Sequence, residues 1–141
     1  MNTLAERYRA RIEDVNRRGL DALDGLMSLY AEDLVFIDAI QEIRGRAGYR
    51  EMNERLLRRA KSVRIELHSL LGSDDELMGV GVLTVYAKVG PTIALPGAMH
   101  MRTKNGLIVY QRDYLDMGTS IGDAIPVVGP LYRKAMVALF G

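Results

Sequence analysis

The chain has 141 residues, and 19 Lys and Arg stand against 18 Asp and Glu for a formal net charge of +1. One domain over residues 1–141 is expected, long enough to bury its own core, and the even charge favours neither a nucleic-acid binder nor a membrane-surface protein. Zero cysteines exclude disulfides, thiol catalysis and cysteine-held metals, and fit a cytoplasmic setting. With two histidines, His68 and His100, a histidine-rich metal cage is not expected. No apolar run approaches the roughly 18 residues of a spanning helix, and the opening stretch is too charged for a signal peptide.

Thr3-Leu4-Ala5-Glu6 has the form of a capping box, followed by Leu4, Tyr8, Ile12 and Val15 at helical spacing. Arg17-Arg18-Gly19 supplies a stop, and Asp21 to Tyr30 reads as a second helix with Leu23, Leu26, Met27 and Tyr30 on its apolar side. Ala31-Glu32-Asp33 then turns the chain into a short strand, Leu34 to Ile37, which ends on Asp38. A loop through Gln41 and Glu42 precedes a third helix, from about Ala47 to Ala60, with Tyr49, Met52 and Leu56 on one stripe. After Lys61 the period changes: Val63, Ile65 and Leu67 alternate with Arg64, Glu66 and His68. Leu77 to Val89 is a long strand whose Gly79 and Gly81 permit a bend or bulge. Ile93 to Thr103 and Leu107 to Met117 form a hairpin across Asn105-Gly106. Gly118 to Gly129 reads as a loop, and Leu131 to Phe140 as a terminal helix whose wide apolar stripe should cover a cavity mouth or meet a second subunit. Helices followed by strands, with one early strand and a terminal helix, make an α+β domain.

Two stretches carry a family resemblance. Tyr30-Ala31-Glu32-Asp33, four residues, then Asp38 and a Gly-containing loop before a helix resembles the nuclear transport factor 2-like (cystatin-like) superfamily. That superfamily includes ketosteroid isomerases, SnoaL-like cyclases and limonene-epoxide hydrolases. The resemblance implies a curved antiparallel sheet wrapped around the N-terminal helices to form a cone-shaped pocket. It also implies that Asp38 is a general base. Arg112-Asp113-Tyr114-Leu115-Asp116 is similar to the last strand of the epoxide hydrolases, in which the first aspartate activates water; that position is Asp113. Alternation groups Asp113 with Leu107, Val109, Gln111 and Leu115 on the more apolar face, which favours a place in the cavity over pairing with a neighbouring arginine at the sheet surface. Both family patterns are incomplete. The acid and arginine partners of the hydrolases would fall at Val82 and Thr84, and the isomerase oxyanion donor near Ala98 or Met99.

Glu66 is a further catalytic candidate, able to share acid and base roles with Asp38 if it lines the cavity; alternatively Arg64, Glu66 and His68 are simply a solvated face. Tyr86, on one face with Val82 and Thr84, could donate to a ligand oxygen or serve as an ordinary core tyrosine. The expected pocket lining is Met27, Phe36, Met52, Leu56, His68, Thr84, Leu95 and Leu115. No dinucleotide fingerprint, P-loop or nucleophile elbow is present, and no cofactor or metal is expected. The expected activity is cofactor-independent acid–base catalysis, of the cyclase or isomerase type, on a hydrophobic small molecule such as a polyketide, terpenoid or steroid, with Asp38 as the preferred base and Asp113 as its partner or the water-activating carboxylate. An epoxide-opening enzyme and a non-catalytic ligand-binding or dimerisation module are the alternatives. The expected partners are the substrate and a second copy in a homodimer, with neither nucleic acid nor membrane.

Overall fold

A computed structural model describes residues 2–141. The first helix, α1 (Leu4–Arg18), begins with the expected capping box: Glu6 N donates to Thr3 Oγ1 at 3.2 Å and Thr3 N donates to Glu6 Oε2 at 2.8 Å. Its stripe of Leu4, Tyr8, Ile12 and Val15 is buried. A 3₁₀ turn at Gly19–Ala22 leads to the short α2 (Leu23–Met27). The strand that follows, β1 (Tyr30–Ile37), starts four residues earlier than Leu34. Tyr30 to Asp33 is extended chain with an irregularity before Val35, because Tyr30 already pairs with Ile108 of the neighbouring strand. After β1 come β2 (Glu42–Arg44), α3 (Arg46–Arg59), β3 (Ala60–Gly72), β4 (Glu76–Ala87), β5 (Ile93–Lys104) and β6 (Leu107–Leu115). Two helices close the chain, α4 (Met117–Ala124) and α5 (Val128–Phe140), so the expected loop after β6 contains a helix.

The six strands form one curved sheet in the order β2-β1-β6-β5-β4-β3. It is mixed rather than wholly antiparallel, because β1 runs parallel to β6. Sharp bending is built in where Gly81 of β4 pairs with Gly97 of β5. A Cβ on Gly81 would lie 2.0 Å from the Glu66 carbonyl oxygen, and one on Gly97 would lie 2.3 Å from that of Tyr114. Only glycine lets the neighbouring backbones come so close.

The helices lie against the concave face, where the core gathers. Phe36 packs against Tyr49 at a ring distance of 4.7 Å, Tyr49 against Tyr30 at 5.0 Å, and Leu34, Leu77, Met101 and Ile108 fill the space around them. The open edge of β3 is covered from α1. Asn16 Nδ2 donates to the Ile65 carbonyl and Ile65 N donates to Asn16 Oδ1, both at 2.7 Å, a side-chain substitute for a missing strand. At the other end α5 packs mainly on α4, tied by the Arg133–Asp123 ion pair at 2.6 Å. Leu131, Val137, Leu139 and Phe140 stay exposed, so the terminal stripe does not cover the concave face within one copy of the chain.

Candidate acid–base site

Strand register decides which side chains share a surface. In the parallel pair, Phe36 stands beside Gln111 and Ile37 beside Arg112. Phe36 and Gln111 are buried on the concave side. One step on, Asp38 and Asp113 fall on that same side as neighbours. A further shift, between Arg102 and Thr103 opposite β6, gives that strand a bulge. Ile108 therefore enters the core and Leu107 is exposed, which changes the expected face of Leu107 and Val109 but keeps Gln111, Asp113 and Leu115 together.

The two carboxylates sit in different surroundings. Asp38 follows the end of β1 and organises the turn into β2. Its Oδ1 accepts from Ile40 N at 2.9 Å and Gln41 N at 3.0 Å, and its Oδ2 accepts from Gln41 Nε2 at 3.3 Å. This is the turn chemistry for which aspartate is suited. Asp113, in mid-strand, faces Met99 across the β5 pairing. It is half-buried. Burial pushes its carboxyl up to about 6, the charge of Asp38 pushes the same way, and a hydrogen bond from Gln111 offsets part of the rise.

Behind Asp113 lies a polar chain that alternation alone does not reveal. Gln111 Nε2 donates to Asp113 Oδ1 at 2.9 Å, and the Tyr30 hydroxyl donates to Gln111 Oε1 at 2.6 Å. The hydroxyls of Tyr8 and Tyr49 lie beside that of Tyr30, and burial raises all three phenols above their ordinary value. Three phenols kept neutral in this way can donate hydrogen bonds but do not act as bases. Tyr8, Tyr30 and Tyr49 are legible in the sequence only as apolar-stripe residues on three separate elements; their convergence requires the fold.

Of the expected lining residues, Met27, Phe36 and Leu95 are buried, and Met52, Leu56 and Leu115 are half-buried. Met52 Sδ accepts from Gln41 Nε2 at 3.2 Å, which places it at the Asp38 turn. Four expectations are corrected by register. Glu66 pairs with Val82, Arg64 with Thr84 and Ser62 with Tyr86, all on the convex face, because Val63, Ile65 and Leu67 point to the helices. Glu66 and Tyr86 therefore do not join Asp113, and Thr84 and His68 do not line its recess. Glu66 instead accepts from Arg64 Nε at 3.0 Å and lies 3.7 Å from His68, and that arginine lowers its carboxyl below the usual value. The hydrolase partner positions change face too: Gly81 and Leu83 point inward in place of Val82 and Thr84.

Two clefts lie elsewhere. One, about 510 Å³, runs between α2 and α3 past Met27 and Ser28, where Arg46 and Arg50 pair with Glu32 and Asp24. The other, about 700 Å³, lies on the convex face beside Leu71, Met78 and Val80. The carboxyl raised by burial, that of Asp113, lines neither cleft, so the chemistry points to the concave face around it. Among the described residues, no three metal-ligating side chains converge, and no helix is long and apolar enough to cross a membrane.

A curved mixed sheet with helices against its concave face is the nuclear transport factor 2-like fold. The chain belongs to the SnoaL-like domain family, whose model matches residues 6–111. Among proteins of curated function none matches. Solved structures share the fold at low identity. A Catenulispora acidiphila protein with a ketosteroid isomerase-like fold aligns with TM-score 0.69 at 20% identity over 87% of this chain and 93% of its own. An M. tuberculosis LEH-like epoxide hydrolase aligns with TM-score 0.68 at 14% identity over 97% and 98%. An NTF2-like protein of unknown function from Burkholderia pseudomallei aligns with TM-score 0.70 at 15% identity over the whole of both chains.

Proposed function

We propose that the protein is a cofactor-independent acid–base enzyme acting on a hydrophobic small molecule, with Asp113 as its base. The observation that carries this reading is the placement of Asp113, half-buried on the concave face opposite Met99 with its Oδ1 held by Gln111, where burial pushes its carboxyl up to about 6. A base with that proton affinity is mostly ionised at neutral pH, yet binds a proton far better than an ordinary aspartate. Asp38 supplies a second negative charge beside it and closes the polar end of the recess. Asp113 Oδ2 takes a proton from an activated carbon or from water, and the same carboxyl returns it to another position of the substrate. The neutral phenols of Tyr8 and Tyr49 are suited to donate to the oxygen on which negative charge develops. Phe36, Met52, Leu95 and Leu115 favour an apolar ring system over a sugar or nucleotide.

Epoxide opening is the second reading, supported by the Arg112-Asp113-Tyr114 strand and the LEH-like neighbour. It needs an acid for the epoxide oxygen. The inward positions of β4 and β5 near Asp113, Gly81, Leu83, Leu95, Gly97, Met99 and Met101, offer no acid, which leaves the neutral phenols of Tyr8 and Tyr49 to serve. The test is turnover of a panel of enolisable polycyclic ketones and terpene epoxides by the parent and by Asp113→Asn. Loss of roughly a hundredfold or more in the variant is expected. No turnover by the parent, together with tight binding of apolar ligands, would instead make the chain a binding module.

A further inference from the structure

Gln111 is 2% exposed and is the single polar or charged residue in the buried core among the described residues. A buried amide is retained only with its hydrogen bonds made, and here each end has a defined task. Oε1 accepts from the Tyr30 hydroxyl at 2.6 Å, Nε2 donates to Asp113 Oδ1 at 2.9 Å, and the second N–H lies towards the Tyr49 oxygen. Chemistry fixes the sense of the amide. An ionised carboxylate can only accept, so the NH₂ must face Asp113 and the carbonyl must face a group able to donate, which Tyr30 is.

We propose that Gln111 is the positioning residue of this site, holding Oδ1 of Asp113 so that proton transfer is assigned to Oδ2. A proton on Oδ2 leaves the whole Tyr30–Gln111–Asp113 chain intact. A proton on Oδ1 would set two donors against each other and require the buried amide to turn over, with Tyr30 reversing its hydroxyl as well. The packed setting opposes that rearrangement, so the two oxygens are inequivalent although the carboxylate itself is symmetric. The same contact holds the carboxylate plane in one rotamer and favours its ionised form. The inference rests on the reading of Asp113 as the base, and adds what selects its reactive oxygen.

The experiment is a pH titration of the Asp113 carboxyl by ¹³C NMR on protein labelled at aspartate, with Asp113→Asn assigning the signal. In the parent a midpoint near 6 is expected. Gln111→Met keeps the volume and removes the N–H donor. It should raise the midpoint by about one pH unit, a tenfold gain in proton affinity. Tyr30→Phe leaves Gln111 in place but frees Oε1, and should move the midpoint the same way by roughly a third as much. If Asp113 titrates near 6 and neither variant moves it, the positioning role is overturned while the base survives. If Asp113 in the parent titrates near 4, the base itself is lost. Should Gln111→Met fail to fold, an unmoved midpoint in Tyr30→Phe overturns the inference on its own.

Discussion

The concave and convex faces of the sheet are made by the same strands, residue by residue in alternation, yet they treat a carboxylate in opposite ways. Asp113 on the concave side faces Met99, and burial pushes its carboxyl up to about 6. Glu66 on the convex side lies beside Arg64 in open solvent, and its carboxyl is lowered. Both are acidic residues within long strands, so residue type does not separate them. What separates them is whether their own side of the sheet carries the helices. The difference teaches that a charged residue in an apolar strand becomes a candidate for chemistry only after its face is known.

The largest effect that can sharpen this contrast is in packing. Phe36→Ala on the concave face should cost about 4 kcal/mol, because it empties the centre of the Tyr30–Tyr49 cluster. Tyr114→Ala, 53% exposed on the convex face, should cost under about 1 kcal/mol. Urea denaturation of the two variants reads the difference directly; equal losses would show that the convex face is covered in solution, as a homodimer through it would require.

Next comes the pH dependence of Asp113. Its folded value of about 6 lies above the ordinary 3.8, so the folded state holds the proton more tightly. Its contribution therefore lowers stability as pH rises from about 4 to about 6 and stays constant above that. Relative to a carboxyl of ordinary affinity, the burden at pH 7 is on the order of 2–3 kcal/mol. Asp113→Asn should remove most of it, so the variant melts higher than the parent at pH 7 and no higher at pH 4. A variant that is less stable at pH 7 would mean that Asp113 has a cationic partner instead of an apolar recess.

Asn16→Ala tests the edge of the sheet, where two 2.7 Å hydrogen bonds to the Ile65 backbone are lost. About 2 kcal/mol is expected, with faster amide exchange at Ile65 and not in β6. The smallest effect is on the convex face. Glu66→Gln and Tyr86→Phe should leave melting temperature and turnover at parental values, and a tenfold loss of turnover in either would return those residues to the site.

Much of this could be read along the chain. The capping box at Thr3, the stripe of α1, the alternation of β3 and the Asn105-Gly106 hairpin are local signals, each set by neighbours a few residues away. The same holds for the elevation of Asp38 and Asp113 as anomalies, since an aspartate at the end of an apolar strand or within one stands out against its immediate surroundings. Three things were decided only in three dimensions. The bulge opposite Arg102–Thr103 resets which residues of β6 face inward, because a single inserted residue reverses alternation from that point on. Arg64, Glu66 and His68 have a pattern compatible with either face, and the choice came from the docking of α1 against Ile65 and Leu67. The chain from Tyr30 through Gln111 to Asp113 joins residues up to 83 positions apart; Tyr30 and Gln111 alone are 81 apart. Local sequence determines whether a segment bends, extends or coils, because those preferences arise between adjacent residues. Proton affinity depends instead on which distant groups displace water from a carboxyl, and only the packed fold brings those groups together.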